Sequence, residues 1–237
     1  SIRRQRQMCI RDRFELGSIS KTFTVTLAGY AEASGKLSLG DSPAKYVPEL
    51  QGSAFAKTTL INLATHTSGG FPLQVPDAVQ DTAQLMAYLK AWTPQYAPGT
   101  HRTYANPSIG MLGVVAARSL GQPYVAALEQ GLFPKLGLRS TYVNVPPEKM
   151  PDYAWGYNKQ NAPVRVNPGV LADEAYGVKS TARDMIRFVE VNLGVAPVDA
   201  AIQRAIAATH TGYYQLGAMT QDLIWDCLLY TSDAADE

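Results

Sequence analysis

Residues 18–36, "SISKTFTVTLAGYAEASGK", constrain the fold more than any other stretch of the chain. Phe23, Leu27 and Tyr30 recur at helical spacing and Gly35 supplies a stop, so the pattern predicts a helix that Ser18 begins. Three threonines and Val25 lower its intrinsic helix propensity, because branched side chains lose rotamer freedom against the preceding turn. Such a helix persists only where packing holds it. The segment therefore predicts a buried helix around which the rest of the chain is arranged.

The remaining text supplies mainly helices. "TTLINLATHTSGG" places Leu60, Leu63 and Ala64 on one helical face, and "DTAQLMAYLKAW" starts at Asp81, a good cap. Pro107 opens the apolar "PSIGMLGVVAARSLG", and Pro123 opens "PYVAALEQGLF". "STARDMIRFVEVNLG" reads as a helix capped by Ser180 or Thr181 and stopped by Gly194, and "VDAAIQRAIAATH" as another. Residues 139–180 are irregular and proline-rich with short extended pieces. Few strands and no alternating β-α rhythm exclude a doubly wound sheet. No repeat and no glycine-rich phosphate loop is present.

Of the 237 residues, 46% are hydrophobic and 17% charged, enough apolar material for a substantial core. The formal net charge of +1 gives no reason to expect nucleic acid or a membrane surface as partner. The two ends differ from the middle. "SIRRQRQMCIRDR" carries five arginines, "CLLYTSDAADE" follows another composition, and both resemble translated sequencing-adapter sequence. The expectation is that residues 1–13 and 227–237 are non-native ends around a partial domain, 14–226. Both cysteines, Cys9 and Cys227, lie in those ends, so disulfide reasoning says nothing about compartment.

Ser18 stands three residues before Lys21, and such a pair is expected about once by chance in a chain of this length. A second match, Ser42 to Lys45, sits in the turn-rich "LGDSPAKYVPEL" and reads as structural. At a helix start the spacing has chemical meaning. A serine hydroxyl can pass its proton to a lysine whose pKa burial has lowered. A helix N-terminus adds a positive dipole end and an N–H able to form part of an oxyanion hole. In "TYANPS", Tyr104 and Asn106 are two apart in what reads as a short extended piece, Arg102–Ala105, so both side chains are expected toward one cleft. A tyrosine there can relay a proton, and an asparagine can hold a substrate amide. Taken alone, a hydrogen-bonded loop explains "YAN" as well. His66, His101 and His210 are scattered without metal-ligand spacing and read as structural or surface residues.

Residues 14–226 resemble the class C β-lactamases (cephalosporinases) in family order and spacing. The resemblance is carried by "FELGSISKTF", "LATHTSGGFPLQVPD", "YANPSIG", "LFPKLGL", "YVNVP", "YAWGY", "VNPG" and "YGVKST". It implies an α+β fold of the β-lactamase/transpeptidase type, with a helical domain beside an antiparallel sheet. By the resemblance Ser18 is the acylated nucleophile, Lys21 its basic partner and Tyr104 the proton-transfer residue. Asn106, and Gln74 in "LQVPD", are implied to bind the substrate's acylamido side chain. The residues around 143–180 are implied to form the loop bordering the pocket. The resemblance also implies a periplasmic monomer without metal or cofactor, whose partner is a small β-lactam.

One motif departs from the pattern: the family's Lys-Thr-Gly, which lies on a strand beside the nucleophile, has no counterpart here. The expectation is that most sheet strands are lacking, that the apolar face of the Ser18 helix lacks a partner, and that this piece is inactive alone. A D-alanyl-D-alanine carboxypeptidase, a related serine esterase and a non-enzymatic penicillin-binding sensor share the same residue logic and stand as alternatives.

Overall fold

The computed structural model describes residues 11–166 and 169–228. Strand β1 (Phe14–Glu15) leads through a 3-10 turn (Gly17–Ile19) into α1 (Ser20–Ala33). Helices α2 (Leu60–Ala64), α3 (Thr82–Ala91) and α4 (Asn106–Ser119) follow. Next, α5 (Tyr124–Ala126) runs through a π-helical turn (Ala127–Leu132) into α6 (Phe133–Leu136). Strands β2 (Gly156–Tyr157) and β3 (Pro163–Val164) precede α7 (Ala172–Tyr176) and β4 (Lys179–Ser180). Helices α8 (Ala182–Asn192) and α9 (Ala200–Thr209) then lead to β5 (Tyr214–Leu216), β6 (Met219–Gln221) and β7 (Asp226–Leu228). The strands form three small antiparallel sheets, β1-β4, β2-β3 and β5-β6-β7, which with the helices make an α+β fold. Among the described residues no helix is long and apolar enough to cross a membrane.

Local chemistry sets the helix boundaries. Thr59 and Asn62 form a reciprocal capping box at α2, while Asp81, Thr181 and Asp199 accept backbone N–H groups at the starts of α3, α8 and α9. Past α1, α4 and α8, Gly35, Gly121 and Gly194 take the left-handed conformation that the sequence leads one to expect. Ser42 caps a short turn and Lys45 pairs with Asp41, so the second Ser-x-x-Lys is structural.

Helix α1 is the centre of the molecule. It packs on α4, α7 and α9, and it buries residues on every side, including Thr22, Thr24 and Thr26. The threonines satisfy their hydroxyls within the protein: Thr22 Oγ1 donates to Ile19 O, Thr26 Oγ1 to Thr22 O and Thr24 Oγ1 to Glu174 O. Phe23 meets Phe133 edge-on at 5.3 Å and Phe188 at 4.4 Å between ring centroids. The expectation that the apolar face of this helix lacks a partner is overturned. Phe133 and Phe188 cover it at Phe23, and helix α9 covers another side, where Gly29 allows the approach: a methyl group on Gly29 would stand 2.9 Å from Ala205 O.

Three further details differ from the sequence reading. Ser18 lies in the 3-10 turn, and α1 proper begins at Ser20. Residues 102–105 form no strand, although Ala105 itself is extended, with φ −148° and ψ 127°. The irregular stretch 139–180, implied to border the pocket, contains the short helix α7, whose Ala175 carbonyl meets Lys21. Arg13 and Asp226, at the two expected boundaries, form ion pairs with Asp152 and Arg102, while residues 1–10 and 229–237 lie outside the described residues.

Candidate active site

The turn at Gly17–Ile19 presents Ser18 to solvent, and the segment that follows α7 anchors it. Leu16 N–H donates to Val178 O at 3.0 Å, Val178 N–H donates to Ser20 Oγ at 3.0 Å, and β1 pairs with β4 just before the turn. Gly17 has φ +53°, which a glycine adopts without steric cost and which lets the chain turn sharply from β1 into the helix.

Three residues after Ser18, Lys21, the second residue of α1, is wholly enclosed, at 0% exposure. Its Nζ contacts Ser18 Oγ at 2.9 Å and donates to Ala175 O, also at 2.9 Å. Burial lowers its pKa below the usual lysine value, and the facing Tyr104 phenol offsets part of that effect. A neutral amine in this place has one N–H for Ala175 O and a lone pair for the Ser18 proton.

Tyr104 completes the group. Its ring centroid is 5.0 Å from Lys21 Nζ, and the residue is 37% exposed, so the phenol borders both the buried amine and solvent. Asn106 is the first residue of α4 and is 7% exposed; its Oδ1 is buried without a partner in the described residues. The Asn106 N–H donates to Leu73 O at 2.9 Å, which ties the "YAN" loop to the strip that carries Gln74. Gln74 is exposed and lines a cleft of about 710 Å³ together with Asp77, Arg118, Asp173, Glu174 and Tyr176. Ser18, Lys21 and Tyr104 thus form one cluster. Asn106 is linked to it through Ala105, whereas the cleft that Gln74 lines is bordered by none of Ser18, Lys21, Tyr104 and Asn106.

Some neighbours were not legible in the sequence. Ala175 contributes only a carbonyl, which carries no residue signature. Burial pushes the Glu174 carboxyl up to about 7, and its carbonyl accepts from Thr24 beside the lysine. Tyr176 was quoted within "YGVKST" without a role of its own. His66 was read as a structural or surface residue, and it lies against Tyr104 with 4.5 Å between ring centroids. Among the described residues no group of His, Cys, Asp and Glu has the arrangement of a metal site.

The family model described as "Beta-lactamase" matches residues 1–235. A β-lactamase of Lysobacter lactamgenus is 56% identical over 217 residues, covering 92% of this chain and 56% of the relative. A solved β-lactamase/D-alanine carboxypeptidase from Pseudomonas syringae has a TM-score of 0.89 at 60% identity, covering 91% of this chain and 60% of that one. A class C β-lactamase from Rhodobacter sphaeroides has a TM-score of 0.90 at 48% identity, covering 94% of this chain and 63% of that one. The chain therefore spans about three fifths of the length of the proteins it matches. With a family match over nearly the whole chain and relatives and neighbours that cover more than nine tenths of it, the chain belongs to the β-lactamase family, with class C β-lactamases among its structural neighbours.

Proposed function

We propose that this chain carries the nucleophile, its base and part of the substrate pocket of a class C serine β-lactamase. The observation behind this reading is the buried Lys21 amine, 2.9 Å from an exposed serine hydroxyl and faced by a tyrosine. In acylation, Ser18 Oγ attacks the lactam carbonyl carbon and passes its proton to the neutral Lys21 amine. The C–N bond of the four-membered ring breaks as the ring nitrogen takes a proton through Tyr104, leaving an ester on Ser18. A water molecule then attacks that ester, its proton passing to the same Lys21–Tyr104 pair, and Ser18 leaves with a proton restored.

Lys21 suits this role because its enclosure disfavours the charged amine. An ordinary lysine near pKa 10.4 is almost wholly protonated at pH 7 and accepts nothing. Burial favours the neutral form, and the Ala175 carbonyl fixes the direction of its lone pair. Asn106 offers an unpaired buried oxygen to a donor such as the N–H of an acylamido group, and the exposed Gln74 follows Leu73, whose carbonyl accepts from the Asn106 N–H. The substrates are cephalosporins and penicillins, and the compartment this reading implies is the periplasm.

The Pseudomonas syringae neighbour, which carries both activities in its name, favours a second reading as a D-alanine carboxypeptidase. The two are separated in the full-length protein that carries residues 14–226. Nitrocefin turnover with an acyl adduct on the Ser18 peptide by mass spectrometry supports the lactamase. Release of D-alanine from a D-alanyl-D-alanine peptide with slow nitrocefin hydrolysis supports the carboxypeptidase. A protein whose Ser18 is never acylated refutes both.

A further inference from the structure

His66 is 1% exposed and has φ +59°, a left-handed conformation uncommon for residues other than glycine. Its Nε2 is buried without a partner in the described residues. Each of these features costs on the order of 1 kcal/mol or more. Local costs of this kind are expected where a function depends on them. What His66 touches identifies that function. Its carbonyl accepts from Thr103 N–H at 2.8 Å, and its Nδ1 accepts from Ala105 N–H at 3.2 Å. Between those two anchors the imidazole lies against the Tyr104 ring, at 4.5 Å between centroids and tilted by 42°. The residue before Tyr104, the residue after it and Tyr104 itself all rest on one side chain and its own peptide.

We propose that His66 is the positioning residue for Tyr104, holding the phenol over the Lys21 amine through the proton transfers. The role rests on the reading of Tyr104 as the proton-transfer group. The left-handed backbone is what lets one residue do this, since it turns carbonyl and imidazole toward the same three-residue stretch. The contact also fixes the protonation state. A neutral imidazole that accepts at Nδ1 carries its proton on Nε2. Protonating Nδ1 would set a donor against the Ala105 N–H and release the loop. Burial, followed by the positive charge of Arg102, opposes that protonation and pushes the His66 pKa down to about 3.

A second contribution is geometric. Misplacement of a reacting group by about 1 Å can cost about a hundredfold in rate without touching substrate affinity. A positioning residue should therefore act on kcat and leave KM nearly alone, and should have nothing left to act on once the Tyr104 hydroxyl is gone.

The test uses the full-length protein carrying this sequence, with His66→Asn, Tyr104→Phe and the double variant. Asparagine tolerates the left-handed backbone and removes the ring. His66→Asn is expected to lower nitrocefin kcat about 10- to 100-fold with KM within about threefold. The double variant is expected to be no slower than Tyr104→Phe alone. Losses that multiply in the double variant, or an unchanged kcat in His66→Asn, would overturn the proposal while leaving the lactamase reading intact. If the parent is inactive and Tyr104→Phe changes nothing, the catalytic reading itself fails. Independently of activity, 15N NMR of the imidazole in the unmutated protein should find the proton on Nε2 at pH 5 and at pH 8. A proton on Nδ1 at either pH would also overturn it.

Discussion

Replacing Gly29 with alanine sets two effects of known sign against each other. In an exposed helix interior alanine is favoured over glycine by about 1 kcal/mol. At Gly29 the new methyl would stand 2.9 Å from Ala205 O and 3.3 Å from Ala205 Cα, both backbone atoms of α9. Backbone cannot rotate away, so α9 must retreat by a few tenths of an ångström along the face it shares with α1. Overpacking of this sort costs about 1 to 3 kcal/mol, and this contact is at the upper end because a whole helix must shift. The net expectation is a loss of about 1 to 2 kcal/mol, a fall in Tm of about 2 to 8 °C for a chain of this size.

Gly131→Ala is the control, since its methyl would meet nothing nearer than Gln122 Oε1 at 4.0 Å and should be neutral or stabilising. Thermal unfolding by circular dichroism, with urea titration alongside, measures both. Because the clash is with backbone, Ala205→Gly should not rescue Gly29→Ala. A Gly29→Ala variant as stable as its parent, or rescue by Ala205→Gly, would refute the account of how α9 covers α1.

Asn106→Ala in the full-length protein should lower turnover of acylamido cephalosporins by about 1 to 3 kcal/mol in transition-state terms, and hydrolysis of a small activated ester much less. Equal losses on both would make Asn106 a loop anchor. Lys21 is less readily protonated folded than unfolded, so the unfolded chain binds more protons between the lowered pKa and about 10.4. Stability should therefore rise with pH through that window relative to Lys21→Met, as read by urea unfolding of the two proteins at several pH values. A difference independent of pH would mean that the lysine is charged in the fold.

What could be read from the sequence was what neighbouring residues decide. Asp81, Thr181 and the glycines that follow α1, α4 and α8 act within a turn of themselves, and their roles follow from side-chain chemistry alone. Ser18 and Lys21 meet for the same reason, because three residues along a helix is a fixed distance. Contacts made by the bare backbone were not legible. The Ala175 carbonyl that holds Lys21 lies 154 residues along the chain, and any residue type could have supplied it. His66 reads correctly as structural, but its tie to the Tyr104 loop was not legible, because it lies in a backbone angle and in two N–H groups of that distant loop. The covering of α1 by α9 was missed because glycine at 29 reads locally as a weak point in a helix, whereas its value lies in the neighbour it admits.

The hydrogen bond from Lys21 to Ala175 O has a consequence for how such a protein can diversify. Helix α7 supplies that carbonyl and, through Asp173, Glu174 and Tyr176, also walls the cleft beside Gln74. A lineage selected for bulkier molecules would gain room most directly by altering α7 or the chain leading into it. Any displacement of α7 also displaces the acceptor that orients the lysine, so, on the proposed function, changes in substrate range and in proton affinity are expected together. Variants that widen the cleft are then expected to arise with slower turnover, and later changes that restore it should fall where they re-seat residue 175, not in the cleft.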